Sequence, residues 1–137
     1  MSEADCLFCL IKNKKIPSAI VYEDENTIAF LDIFPFNAGH TIVIPKQHCY
    51  NFLEFDEGQM KNFFSVVKKI SNDLKKKLNS QGINIFSNNY PAAGQKIDHM
   101  HFHIVPRWEN DGLPPLGKQK KEATPEQLQS ILDKLSS

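Results

Sequence analysis

Three of the five histidines fall within Asp98-His99-Met100-His101-Phe102-His103-Ile104-Val105, each separated from the next by one apolar residue. Imidazole changes its protonation near neutral pH, so such a cluster can serve as acid and base, as metal ligands or as a nucleophile. On a helix this spacing would scatter the rings around the cylinder. On a strand side chains alternate, so the three rings share one face and Met100 and Phe102 take the other. A strand is therefore predicted from Asp98 to Val105, ended by Pro106. With a rise of about 3.3 Å per residue, neighbouring rings start about 7 Å apart and can reach one small anion or one ion.

Three kinds of chemistry fit that face. Structural histidines would each need a hydrogen-bond partner, and three buried rings are costly unless something hydrophilic sits beside them. His-x-His on a strand can also chelate zinc, although hydrolytic zinc needs an open coordination position and usually a carboxylate base. No acidic residue follows on this face before Glu109. In the third reading the middle imidazole is the nucleophile. A neutral ring whose proton is held on Nδ1 by a backbone carbonyl presents a bare Nε2 that can attack phosphorus.

The elements around this stretch belong to a chain of 137 residues, 41% hydrophobic, with eight Pro and six Gly, which suits one compact domain with its own core. Sixteen acidic and sixteen basic residues balance. No overall field draws such a chain to nucleic acid or membrane, so a small ligand held by local groups is expected. The first five residues are acidic and lack an apolar signal region, and no stretch approaches the roughly 20 apolar residues of a membrane span. A cytoplasmic protein is expected, with the nucleus as the alternative compartment. Three cysteines are an odd count, and Cys6-x-x-Cys9 in a reducing compartment suggests metal or redox chemistry.

In chain order, Asp5 can cap a short helix carrying Cys6 to Ile11, and Ala19 to Tyr22 and Thr27 to Asp32 alternate as a hairpin around a polar turn. Asp32 at a strand end suits ribose hydroxyls or a capped loop equally well. His40 to Pro45 reads as a buried strand after a turn-rich connection, with His48 just beyond it. Asp56 precedes a long helix striped by Met60, Phe63, Val67, Ile70, Leu74 and Leu78, with Lys61, Lys68, Lys69 and Lys76 opposite. Ile83 to Ser87 reads as a further strand. The following loop, Asn88 to Gln95, has the amides, small residues and glycine that let backbone N–H groups approach a phosphate. After Arg107 the chain is polar and proline-rich through Asp111 to Glu122, and Thr124-Pro125-Glu126-Gln127 starts a terminal helix at about 125–135.

Taken together, Asp32, Gly39-His40, Pro45-Lys46-Gln47-His48, Asn88, Ala93-Gly94-Gln95 and the run from His99 to Val105 resemble the histidine triad (HIT) family of nucleotide hydrolases and transferases. The resemblance implies an α+β fold, with an antiparallel sheet of about five strands, one long helix and short terminal helices. The sheet would extend across a homodimer, and residues 1–137 would form a single domain with its core at about 5–107 and an extension at 108–137. It implies purine nucleotide substrates whose α-phosphate carries a leaving group, with AMP as product.

Carried over, the catalytic set would be His101, His103, His40 and His99. His101 would be the nucleophile, His103 and His40 would contact phosphate oxygens, and the backbone of His99 would orient His101. Asn88, Gly94 and Gln95 would hold the rest of the phosphate and Asp32 the ribose. Phe8, Ile11, Ile16 and Ile33 would line the base pocket. In the C-x-x-C subgroup, Cys6, Cys9, His48 and His99 would hold a structural zinc; no organic cofactor is implied. Lys96 stands where the phosphoramidase branch often has serine, and Pro106-Arg107 replaces that branch's Gly-Gly, which is closer to dinucleoside-polyphosphate hydrolases and bacterial-type members. Leaving-group preference is open between these branches.

Overall fold

The computed structural model describes residues 5–115 and 121–136; residues 1–4 of the acidic start and residues 116–120 of the polar stretch lie outside them. Five strands, β1 (Ile20–Glu23), β2 (Thr27–Leu31), β3 (Thr41–Pro45), β4 (Gly82–Phe86) and β5 (Phe102–Arg107), form one sheet in the order β1-β2-β3-β5-β4. Every neighbouring pair is antiparallel. Turn chemistry sets the first hairpin: Asp24 Oδ1 accepts from the N–H groups of Asn26 at 2.7 Å and Thr27 at 2.9 Å.

The two faces of this sheet are covered by different helices. On one face α2 (Met60–Lys77) buries Phe63, Val67, Ile70 and Leu74 against Ala29, Val43, Met100 and Ile104. Burial of each large side chain stabilises the fold by about 1.5–3 kcal/mol, which ties the helix to the sheet's middle strands. On the other face, Ile28, Phe30, Ile42 and Ile44 pack with Cys6, Phe8, Cys9 and Ile11 from around α1 (Leu7–Lys12). Strand alternation thus decides which residues meet α2 and which meet α1. Among the described residues no helix is long and apolar enough to cross a membrane.

Local chemistry shifts several expected boundaries. Cys6, not Asp5, caps α1, its Sγ accepting from the N–H of Cys9 at 3.4 Å. Asp56 caps a one-turn 3₁₀ helix, Glu57–Gln59, and α2 begins only at Met60. The histidine strand starts at Phe102 rather than Asp98, because upstream of the β3 ladder the Met100 N–H goes to the carbonyl of Cys49 at 2.8 Å. Pro106 lies inside β5 instead of ending it. Beyond Ile104 the β3 side of β5 carries no ladder, so the absent N–H is not needed there, and the Pro106 carbonyl accepts from Asn37 Nδ2 at 3.0 Å.

The terminal helix α3 (Pro125–Leu135) starts with a Thr124–Gln127 capping box. Its apolar residues Leu128, Ile131, Leu132 and Leu135 are exposed.

Gly39, immediately before His40, has φ +86, and an added Cβ would lie 2.4 Å from Leu78 Cδ1 and 3.2 Å from Pro106 Cγ. Leu78 can swing aside, but the proline ring and the left-handed backbone cannot adjust cheaply. Gly39→Ala is expected to lower stability by about 1–3 kcal/mol in chemical denaturation. A loss within about 0.5 kcal/mol contradicts the requirement for glycine.

Candidate active site

Backbone hydrogen bonds fix the protons on the histidine rings one after another. His101 Nδ1 lies 2.7 Å from the carbonyl oxygen of His99. A carbonyl only accepts, so the proton is on Nδ1 and Nε2 carries a bare lone pair. His40 Nδ1 accepts the Phe36 N–H at 3.0 Å, which puts its own proton on Nε2. That nitrogen is 2.9 Å from His103 Nδ1, so His40 donates and His103 carries its proton on Nε2.

Burial keeps these rings neutral. His103 is pushed down to about 4, mainly by desolvation and then by the neighbouring His101 and His40. Burial likewise lowers His101 and His40, opposed in each by the Asp32 carboxylate and, in His101, first by its bond to the His99 carbonyl. The rings of His101 and His103 are 5.0 Å apart, and Phe8 meets His101 edge-on at 5.0 Å. His99 also touches Phe8, at 6.0 Å, while Met100 lies in the α2 core on the opposite face. The alternation read from the sequence therefore holds through His99 and His101, although both precede the hydrogen-bonded part of β5.

Two loops close around this row. Asp32 and His40 flank the β2–β3 connection, joined by the Asp32 N–H to the His40 carbonyl at 2.9 Å. Asp32 Oδ1 accepts from the Phe34 N–H at 2.8 Å, and Oδ2 stands 3.6 Å from His40 Nε2, open to a further donor. The second loop joins β4 to the triad. Within it Tyr90 has φ 73 and ψ 155, a conformation that costs a residue other than glycine about 1–3 kcal/mol. Gly94 at φ 95 brings its backbone next to Asn88, whose Nδ2 would lie 3.4 Å from an added Cβ.

Two expected phosphate contacts have no hydrogen-bonding capacity left. Both nitrogens of His40 are engaged, so its influence on a ligand passes through His103. The Gln95 side chain is 5% exposed: Oε1 accepts from the Tyr90 N–H at 2.7 Å and from Asn51 Nδ2 at 3.4 Å, and Nε2 donates to the carbonyls of Tyr50 and Ile97.

Beside the first triad histidine, ligand atoms of Cys6, Cys9, His48 and His99 all lie within 4.8 Å of one another, a group positioned to bind a metal ion. Cys6 Sγ lies 3.4 Å from His99 Nδ1, Cys9 Sγ lies 3.5 Å from His99 Nδ1 and 3.3 Å from His48 Nδ1, and the two Nδ1 atoms are 3.2 Å apart. A tetrahedral ion at about 2.3 Å from sulfur and 2.0–2.1 Å from nitrogen requires edges of about 3.6 and 3.3 Å. The donors fit. His99 Nε2 donates to the carbonyl of Pro45 at 2.8 Å, which leaves Nδ1 bare for the ion. Asp32, His40 and His103 form a second close group, but the proton on His40 Nε2 opposes metal binding there.

Of the expected base-pocket residues, Phe8 and Ile11 are buried together and Ile16 packs against them, whereas Ile33 is 81% exposed and stands apart from that cluster. Several contributing residues carry no sequence signal. Phe30 meets Phe8 edge-on at 5.4 Å. Phe86 stacks on His103 at 4.7 Å and Phe36 on His40 at 5.1 Å. Ser87 Oγ donates to the carbonyl of His101 at 2.7 Å. Alternation on the edge strand could have suggested Phe86; nothing in the sequence marks the rest.

An antiparallel five-stranded sheet with a buried histidine row beside a cysteine–histidine group defines a recognisable class of domain. Residues 13–110 match the HIT domain, and the chain belongs to the HIT family. It is 47% identical over 127 residues to an uncharacterized HIT-like protein of Methanocaldococcus jannaschii, covering 92% of this chain and 98% of that one. An adenosine 5'-monophosphoramidase of Schizosaccharomyces pombe is 32% identical over 132 residues, 96% of each chain. The crystal structure of a HIT family member from Bacillus subtilis superposes with a TM-score of 0.86 at 41% identity, covering 96% of this chain and 95% of that one.

The buried triad gives stability a definite pH dependence. An unfolded histidine titrates near 6.5 and folded His103 near 4, so between these values the unfolded chain takes up a proton that the folded chain resists. The contribution is fully present above pH 6.5 and is lost as pH falls toward 4. Thermal melts should show the midpoint falling across that window, with a shallower fall in His103→Asn. An identical slope in the variant contradicts a buried neutral His103.

Proposed function

We propose that this protein hydrolyses nucleotides with a substituted α-phosphate through a covalent nucleotidyl intermediate on His101. The observation that carries this reading is the 2.7 Å bond between His101 Nδ1 and the His99 carbonyl. In the first step Nε2 forms a bond to phosphorus and the bond from phosphorus to the leaving group breaks, its electron pair departing with that group. The ring becomes a phosphorylated imidazolium, and its Nδ1–H stays against a carbonyl dipole that stabilises the positive charge. In the second step water attacks phosphorus, the bond to nitrogen breaks and the nucleoside monophosphate is released. The proton lost by water balances the one taken up by the leaving group.

Other side chains have supporting parts. His103 directs its Nε2–H at a phosphoryl oxygen, His40 holds that tautomer, and Asp32 Oδ2 accepts from a ribose hydroxyl. The loop of Asn88 and Gly94 approaches the phosphate, and Phe8, Ile11 and Ile16 flank a purine base. Identity to an adenosine monophosphoramidase supports an adenine nucleotide as substrate and AMP as product. Wild-type protein mixed with an adenosine phosphoramidate should release AMP, and His101→Ala should lower kcat by at least about 10³-fold while retaining AMP binding. AMP binding without turnover across adenylated compounds points instead to a nucleotide-binding protein.

For the second site we propose zinc held by Cys6, Cys9, His48 and His99, a closed four-ligand set that supplies structural stability. It would fasten α1 to the histidine strand, leaving His101 free. Elemental analysis of purified protein should give about one zinc per chain, and Cys6→Ser should lower both zinc content and the thermal midpoint. Full zinc content in that variant contradicts the assignment. A homodimer joined along the exposed edge strand β4 is proposed on the same family resemblance, supported by the exposure of Ile85.

A further inference from the structure

The Gln95 amide is almost fully buried and uses both of its donor hydrogens and its oxygen inside the protein. One side-chain partner, Asn51, is 1% exposed and donates Nδ2 to Gln95 Oε1 at 3.4 Å, while its own Oδ1 accepts the Leu53 N–H at 3.1 Å. Around this pair the β4–β5 loop is fastened to residues 50–52 at several points. The Phe52 N–H reaches Asn89 Oδ1 at 3.0 Å, Gln95 Nε2 reaches the Tyr50 carbonyl at 2.7 Å, and the rings of Tyr50 and Tyr90 meet edge-on at 5.4 Å.

What these bonds hold is a strained turn. Tyr90 has a positive φ, and its N–H is the group that Gln95 Oε1 accepts. The Tyr90 carbonyl receives the N–H groups of Ala93 and Gln95, closing the turn that sets Gly94 at φ 95 beside Asn88. A tyrosine keeps such a backbone only where its surroundings over-determine it, and strain of this kind concentrates where a loop must be pre-shaped for a ligand.

We propose that Gln95, backed by Asn51, is a positioning residue: a buried amide latch that holds the Asn88–Gly94 loop in its phosphate-receiving shape through the Tyr90 N–H, without its side chain touching the ligand. This rests on the reading of that loop as a phosphate cradle. The latch also joins the loop to the segment after His48, since the Cys49 carbonyl takes the Met100 N–H and the Tyr50 carbonyl takes Gln95 Nε2. The first histidine of the triad, the metal group and the loop thus share one support.

The test is calorimetric titration of the full chain with AMP, alongside thermal melts. Wild type should bind AMP, and Gln95→Met, which keeps volume but removes every hydrogen bond, should bind about tenfold more weakly. Adding Tyr90→Gly to Gln95→Met should restore about threefold of that loss, because glycine adopts positive φ without the latch. A side chain needed only for folding would lower the thermal midpoint and give no such recovery of affinity. Unchanged AMP affinity in folded Gln95→Met, or no recovery in the double variant, overturns the latch. If wild type itself fails to bind AMP, the phosphate-cradle reading fails and the latch with it. Should Gln95→Met not fold, Asn51→Ser retains a side-chain oxygen for Leu53 and drops only the bond to Gln95. It should weaken AMP binding in the same direction, again with recovery by Tyr90→Gly, and no weakening overturns the proposal.

Discussion

The site depends on one short hydrogen bond, from His101 Nδ1–H to the carbonyl of His99 two residues earlier. An imidazole free in solution exchanges tautomers, and only one tautomer offers Nε2 to phosphorus. A backbone carbonyl cannot change roles, so it selects that tautomer permanently. The same logic runs through the neighbouring rings: Phe36 N–H sets His40, His40 sets His103, and the Pro45 carbonyl sets His99. Main-chain groups, fixed by the sheet and its connections, thereby determine where every proton of the cluster resides. Burial reinforces the pattern by holding the rings neutral, most firmly His99 and His103, each pushed to about 4.

Because His99 supplies both this carbonyl and, through Nδ1, a member of the cysteine–histidine group, the proposed nucleophile and the candidate metal site are joined at one residue. The carbonyl of His101 is in turn held by Ser87 Oγ, so residues 99–101 are gripped from the end of β4, from Phe8 of α1 and from the strand end at Pro45. Such support matters because these three residues lack ladder bonds to β3. Metal ligation would stabilise the segment most where the sheet supports it least.

Much of this organisation was legible in the sequence. Period-2 alternation gave the facing of His99, His101 and His103, and helical periodicity gave the core side of α2, because both patterns are imposed by backbone geometry alone. Spacing singled out the Cys6-x-x-Cys9 pair, and the family resemblance added His48 and His99; the fold brings the four together. The strand departs from the expected Asp98 start and Pro106 stop, running instead from Phe102 to Arg107. Ladder pairing depends on where β3 begins and ends, and a proline is tolerated wherever its missing N–H faces no partner. The resemblance implies ligand contacts at His40 and Gln95, but neither a motif nor a residue type shows whether neighbours have already used a side chain's hydrogen-bonding capacity, as they have here. Ile33, placed in the base pocket by the resemblance, is 81% exposed, and an apolar residue after a strand end gives no sign of which way the loop turns.

The most direct measurement of the central claim is long-range proton–nitrogen correlation NMR of the imidazole rings in the protein at neutral pH. His101 should be protonated at Nδ1 with an unprotonated Nε2, and His103 protonated at Nε2. A His101 ring carrying its proton on Nε2, or a charged imidazolium there, would contradict it.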